Sequence, residues 1–161
     1  MAPMLLRVRI NLMESAVNAI ERAADRRRPD RPEHLRLGLE GERAAFFWLM
    51  RRGYIVVARA WHSSRAPGDL DLIAWSPVSQ GNTLCFIEVK TRSTREVAPA
   101  HLAVDSGKRR VLRRLARHYL RQLPPGDVET RFDILSIYLE RDRAPDFEHF
   151  PSAFGWAEVE R

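Results

Sequence analysis

The sequence predicts an α/β fold, a mixed central sheet that contains an antiparallel hairpin and is flanked by helices. Two segments, 37–52 and 106–122, carry apolar residues at helical spacing, and four shorter runs, 54–61, 71–75, 83–90 and 131–139, read as strands. Their order is helix, strand, hairpin, helix, strand, which suits a sheet with helices on its faces. With 161 residues and 45% hydrophobic content, the chain is long enough for one domain with a substantial core.

At the N-terminus, Leu12, Ala16, Ala19, Ile20 and Ala23 recur at helical spacing and predict an amphipathic helix over the first 25 residues. RRRPDRPEH, 26–34, combines like charges with two prolines and reads as a linker, so residues 1–34 form an appendage and 35–161 the compact domain. The helix over 37–52 closes at Gly53, a residue suited to the left-handed conformation after a helix C-terminus. YIVVARAW is a strand, followed by a loop around Pro67 and Gly68. A loop centred near Ser79 and Gln80 pairs Trp75 with Leu84 and Asp71 with Glu88. Val111, Leu112, Leu115, Tyr119 and Leu120 supply the stripe of the later helix, which ends at Pro124, Pro125 and Gly126. RFDILSIYL is the last expected strand, and the tail from Arg141 is expected to be loop, with Phe147, Phe150, Phe154 and Trp156 packing late.

Composition narrows function only in part. Lys plus Arg number 27 against 21 Asp plus Glu, a formal charge of +6 that favours a polyanionic partner. Cys85 is the single cysteine, which rules out an intramolecular disulfide and a thiolate metal cluster within one chain and fits a reducing, cytoplasmic home. Arg7 and Arg9 interrupt the apolar start, so it reads poorly as a secretory signal, and no membrane span is expected.

The chemistry concentrates in GDLDLIAWSPVSQGNTLCFIEVKTR, 68–92, where Asp71, Glu88 and Lys90 interrupt apolar strands. Period two places Asp71, Ile73 and Trp75 on one face and Leu84, Phe86, Glu88 and Lys90 on one face of the partner. Glu42 lies four residues before Phe46 and seven before Leu49, so this carboxylate shares a face with bulky apolar groups. Two carboxylates about 4 Å apart repel by roughly 4 kcal/mol at an effective dielectric near 20, so a bare cluster protonates or splays. A hard divalent cation, Mg²⁺ or Mn²⁺, removes that cost, with Asp71, Glu88 and the main-chain carbonyl of Val89 as ligands and Glu42 as a metal-site residue holding a second metal or a metal-bound water. Lys90 would orient the attacking water and offset charge on a phosphoryl group. The pattern alone leaves open a plainer alternative, a surface ion pair of Asp71 with Lys90 beside a solvated Glu88.

LGLEGERAA, GDLDLI, FIEVKTR, the Lys108 region and RFDILSI together resemble the YraN-like family of uncharacterised bacterial proteins, within the restriction-endonuclease-like superfamily; the match covers about 37–156. The resemblance implies a restriction-endonuclease-like core, with the first acid at Asp71, the (D/E)xK element at Glu88 and Lys90, and a helix glutamate at Glu42. It also implies a contribution from Lys108 and, by analogy with junction-cutting relatives, a homodimer. Where the family shows Glu two residues before the catalytic Asp, this chain has Asp69.

Lys108, Arg109, Arg110, Arg113, Arg114, Arg117 and Arg121 punctuate a helix with no acid after Asp105, and with Arg92, Ser93 and Arg95 they are the candidate phosphate contacts. His34, His62, His101, His118 and His149 show no metal-ligand spacing and read as surface or satisfied polar groups. Arg131 and Asp133 read as a structural ion pair, and Trp61 and Trp75 as core or cleft wall. The expectation is a metal-dependent nuclease acting on DNA, with branched or damaged DNA as candidate substrates. The alternatives are a non-catalytic nucleic-acid-binding module using helix 106–122, and an adaptor whose N-terminal helix docks a protein.

Overall fold

The computed structural model describes residues 2–27, 32–94 and 104–157. Helices α1 (Ala2–Arg27) and α2 (Glu33–Arg51) precede strands β1 (Ile55–Ser63), β2 (Ala66–Trp75) and β3 (Leu84–Arg92); α3 (Ser106–Leu120), β4 (Thr130–Tyr138) and β5 (Asp146–Phe154) follow. The five strands lie in sequence order, with β3 and β4 parallel and every other neighbouring pair antiparallel. The mixed α/β sheet expected from the sequence is therefore present. The parallel pair exists because α3 carries the chain back between β3 and β4.

Alternation along the central strands divides the core. Leu70, Ile73, Leu84, Phe86, Phe132 and Ile134 pack with Leu112, Leu115 and Ala116 of α3 on one face. Leu72, Ala74, Cys85, Ile87, Leu135 and Ile137 pack with Ala45, Trp48 and Leu49 of α2 on the other. Both faces are covered, so β3 and β4 are almost entirely buried. Trp61 and Trp75 pack at the margin of the α3 core, as wall residues should.

Four expectations about the elements require correction. The region around Pro67 and Gly68 is strand, because β1 and β2 are joined tightly at Ser64 and Arg65. Gly68 accommodates this with φ +88° while β2 passes Val111 and Leu115 of α3. The tail from Arg141 supplies a fifth strand, an edge element whose Pro151 and left-handed Ser152 fall where its pairing with β4 is irregular. Helix α2 starts at Glu33, directly after Pro32. In α1 the helix is present but the stripe is misplaced: Leu12, Ala16, Ala19, Ile20 and Ala23 are exposed, and Ile10 is buried at 3% exposure. Glu14 of that inner face pairs with Arg51 of α2. Residues 28–31 of the expected linker lie outside the described residues. Among the described residues no helix is long and apolar enough to cross a membrane.

One close approach positions the acidic end of α2. A Cβ built on Gly41 would stand 1.8 Å from Thr91 Oγ1 and 2.8 Å from its Cβ, so only glycine lets α2 lie against the end of β3. Gly41→Ala is therefore expected to lower the unfolding free energy by roughly 1–3 kcal/mol in urea titrations, because overpacking against the Thr91 side chain outweighs the gain in helix propensity. Ile10→Ala should cost about 2–4 kcal/mol if α1 unfolds with the domain, whereas Ile20→Ala should stay within about 0.5 kcal/mol.

Candidate active site

The hairpin register is the predicted one over four pairs, Trp75 with Leu84 through Leu72 with Ile87. Beyond Leu72 and Ile87 the ladder gives way to a side chain: Asp71 Oδ2 accepts the Val89 backbone N–H at 2.7 Å. Arg92 O accepts from Leu139 N, and Leu84 N donates to Glu129 O, so even-numbered peptide groups of β3 face β4 and odd-numbered ones face β2. The Val89 carbonyl thus leaves β3 on the side where Asp71 sits. Two strands that part while one still donates to the other's carboxylate create a polar gap at a sheet end.

Glu88 stands on the α3 side of this gap and is 4% exposed. Its Oε1 accepts from Lys90 Nζ at 2.8 Å and lies 3.2 Å from Lys108 Nζ. Its Oε2 is buried and has no hydrogen-bond partner among the described residues. An unpaired buried carboxylate oxygen is costly, so this atom marks a position that wants a cation or proton donor. Burial, then the Glu88 charge, pushes the Asp71 carboxyl up to about 7; the Val89 N–H and Lys108 act in the opposite direction. Burial acts to lower the Lys108 ammonium, but Glu88 and Asp71 outweigh it and lift it above the ordinary lysine value.

Lys108 arrives by local design. Asp105 caps α3, its Oδ1 accepting the Lys108 N–H at 2.8 Å, which fixes the first turn and aims Lys108 across the sheet at Glu88. Glu42 is held less directly. Its carboxyl is raised by burial and by Asp69 and Glu88, and lowered by Arg59. Among the described residues no three acidic, histidine or cysteine side chains gather closely enough to hold a metal ion by themselves.

The basic residues separate into three groups. Lys108 faces the acids. Arg113 is buried, donating from Nε to Gly155 O at 2.8 Å and from Nη2 to Ala157 O at 3.1 Å, and Arg109 Nε donates to Val104 O at 2.8 Å. These two arginines clasp the chain around Phe154 rather than present themselves to a partner. Arg110, Arg114, Arg117 and Arg121 are exposed, and Arg92 is partly buried at the end of β3. Arg95 lies outside the described residues.

A second buried polar cluster was only half legible in the sequence. Asp133, fully buried, accepts from Arg131 Nε at 3.0 Å, from Ser152 N at 2.9 Å and pairs with His149 Nε2 at 2.9 Å; Arg131 also donates to Tyr54 OH. Arg131 and Asp133 thus form the expected structural pair. His149 joins them from β5, a segment whose sequence pattern is that of a loop and gives no sign of this pairing. Burial pushes the nearby Cys85 thiol up to about 12, which makes it inert at neutral pH.

The Asp71 shift has a sign that can be checked. The folded state holds the Asp71 proton to higher pH than the unfolded chain, so this group's contribution to stability is fully present at low pH and declines as pH rises from about 4 through about 7. In EDTA, urea titrations should show this decline at up to about 1.4 kcal/mol per pH unit, and Asp71→Asn should flatten it. A parent profile that rises across the same window would contradict the assignment.

The sequence profile of the uncharacterised protein family UPF0102 matches residues 41–137, which span α2 from Gly41 to β4 and so contain Glu42, Asp71, Glu88, Lys90 and Lys108. A UPF0102 protein of Koribacter versatilis is 49% identical over 126 residues, covering 78% of this chain and 84% of the relative. One from Solibacter usitatus is 39% identical over 139 residues, 86% of this chain and 99% of the relative. Another, from Pelobacter propionicus, is 34% identical over 124 residues, 77% and 86% respectively. A profile match across more than half the chain, joined to relatives aligned over most of their length, places this protein in the UPF0102, or YraN-like, family.

Proposed function

We propose that the protein is a metal-dependent nuclease that hydrolyses phosphodiester bonds in DNA. The observation that carries the reading is the unpartnered, buried Oε2 of Glu88 beside Asp71 and on the edge to which the Val89 carbonyl points. These oxygens fit a hard divalent cation, Mg²⁺ or Mn²⁺, which prefers carboxylate and carbonyl donors and tolerates a site completed by water. Asp71, Glu88 and the Val89 carbonyl would hold it. Once bound, it would supply positive charge at the scissile phosphate.

The chain's own groups have definable tasks around that position. Glu88 holds the Lys90 ammonium at 2.8 Å, where Lys90 can orient a water and offset charge gathering on phosphoryl oxygens. Lys108 brings a second ammonium from α3. Glu42, with its proton affinity raised by burial, is placed to take or return a proton through water at the rim. The α/β sheet and the acidic pair beside an ExK strand are compatible with the restriction-endonuclease-like superfamily.

One observation favours a second reading. Both ammoniums already meet Glu88 Oε1, so half of this carboxylate is compensated without a cation. A non-catalytic nucleic-acid-binding module would retain such a pocket as structure.

Purified protein should cleave DNA only with Mg²⁺ or Mn²⁺. Asp71→Ala, Glu88→Ala and Lys90→Ala should each reduce the rate at least about 10²-fold while circular dichroism shows the fold intact. Calorimetric titration with Mn²⁺ should give binding to the parent and a marked loss in Asp71→Asn. Failure to cut single-stranded, duplex and branched DNA with either metal would remove the nuclease reading. DNA affinity unchanged in Glu88→Ala, alongside that failure, would establish the binding module instead.

A further inference from the structure

Two buried side-chain oxygens have no hydrogen-bond partner among the described residues, and the acidic pocket accounts for only one of them. The first is Glu88 Oε2; the second is Ser136 Oγ, on a residue with 0% exposure. A hydroxyl shut away from solvent without a partner forfeits the bonds it would make in water, so its place among Ile134, Leu135 and Ile137 of β4 wants a cause.

Register brings the two oxygens to one corner of the sheet. In β4, Phe132 and Ile134 face α3 while Leu135 and Ile137 face α2, so alternation puts Ser136 on the α3 side, the side of Glu88. Across the parallel β3–β4 ladder, Glu88 pairs with Ile134 and Lys90 with Ser136. Ser136 is therefore the diagonal neighbour of Glu88, about 8 Å away between Cα atoms for strands about 4.8 Å apart that rise about 3.3 Å per residue. The Glu88 side chain covers part of that distance, and through Oε1 it already meets Lys90, directly opposite Ser136, at 2.8 Å. On the other flank, the β5 neighbour of Ser136 is the exposed Glu148, whose Oε2 accepts from Tyr138 OH at 3.1 Å. A buried partner for Ser136 is thus to be sought on the β3 side.

No hydrogen bond joins Ser136 to Glu88 directly. A single water fits the chemistry between them. A carboxylate oxygen only accepts, whereas a hydroxyl donates, so a water that accepts the Ser136 O–H and donates to Oε2 satisfies both oxygens with bonds of about 2.8 Å. Lys90 gives one of its three donors to Oε1 and has others for the same water. We propose that Ser136 is a positioning residue for Glu88, holding a buried water against Oε2 so that the carboxylate keeps the orientation in which it receives a divalent cation. Hydrogen-bond partners behind a metal-ligating carboxylate set its direction, and losing one weakens metal binding by about 10–100-fold. The cation rests on the nuclease reading; the water does not.

A high-resolution crystal structure of the metal-free parent should show a water within about 3.2 Å of both Ser136 Oγ and Glu88 Oε2, and Ser136→Ala should lack it. In calorimetric titrations with Mn²⁺, Ser136→Ala should bind at least about 10-fold more weakly than the parent, while Ser136→Thr, which restores the hydroxyl, should recover most of the loss. The cleavage rate of Ser136→Ala should return towards the parent's as Mn²⁺ is raised, whereas that of Glu88→Ala should not. Thermal melting in EDTA reads out a merely structural hydroxyl: removing a group that has no partner raises the melting temperature, and removing one bonded to water does not. No such water in the parent, or a higher melting temperature in Ser136→Ala with Mn²⁺ affinity unchanged, would overturn the proposal. A parent that binds Mn²⁺ equally well with or without the Ser136 hydroxyl overturns it while leaving the nuclease standing. A parent that holds the water yet binds no Mn²⁺ removes the cation and the nuclease, and leaves Ser136 as the partner of Glu88.

Discussion

The structure turns on a carboxylate that is buried without being fully paired. Glu88 lies on a strand covered on both faces, with one oxygen bound by two ammoniums and the other by no group among the described residues. Proteins bury ionised groups at considerable cost and usually satisfy every lone pair when they do. The surrounding architecture explains how the fold bears it: Lys90 comes from the same strand face, Lys108 from a capped helix, and Asp71 from a neighbour strand that has just parted from β3.

That parting gives the site its geometry. While β2 and β3 remain paired, their peptide groups satisfy one another and their side chains fill the two cores. Where they separate, Asp71 replaces the ladder by accepting from Val89, so β2 ends its pairing with a charge and β3 presents a carbonyl. Gly41 adds the third wall, because its missing side chain lets α2 approach Thr91 and brings Glu42 within electrostatic reach of Glu88. The same three elements build the core and the pocket, and a change that loosens their packing loosens both.

The two polar clusters differ in how completely their carboxylates are satisfied. Asp133 is satisfied on both oxygens by Arg131, His149 and the Ser152 N–H, which ties β4 to β5 and, through Tyr54, to the end of α2. A closed network of this kind rigidifies. Glu88 keeps an open valence. The arginines of α3 divide along a different line: Arg109 and Arg113 are spent on backbone carbonyls, while Arg114 is exposed on the outer face.

The sequence by itself determined the α/β class, the central strands and the register of the β2–β3 hairpin over its four paired positions, because period-two alternation and a short turn constrain which residues can oppose each other. Family membership was likewise legible in ordered motifs. Only the tertiary structure decided that β5 exists, since DFEHFPSAF has a proline, a left-handed serine and an edge position that propensity cannot distinguish from loop. It also decided which face of α1 is buried, and which of seven neighbouring basic residues on α3 reach outward, inward to Glu88 or sideways to the C-terminal segment. A helix repeats its charges without regard to its neighbours, and only the elements packed against it determine which of them meet solvent.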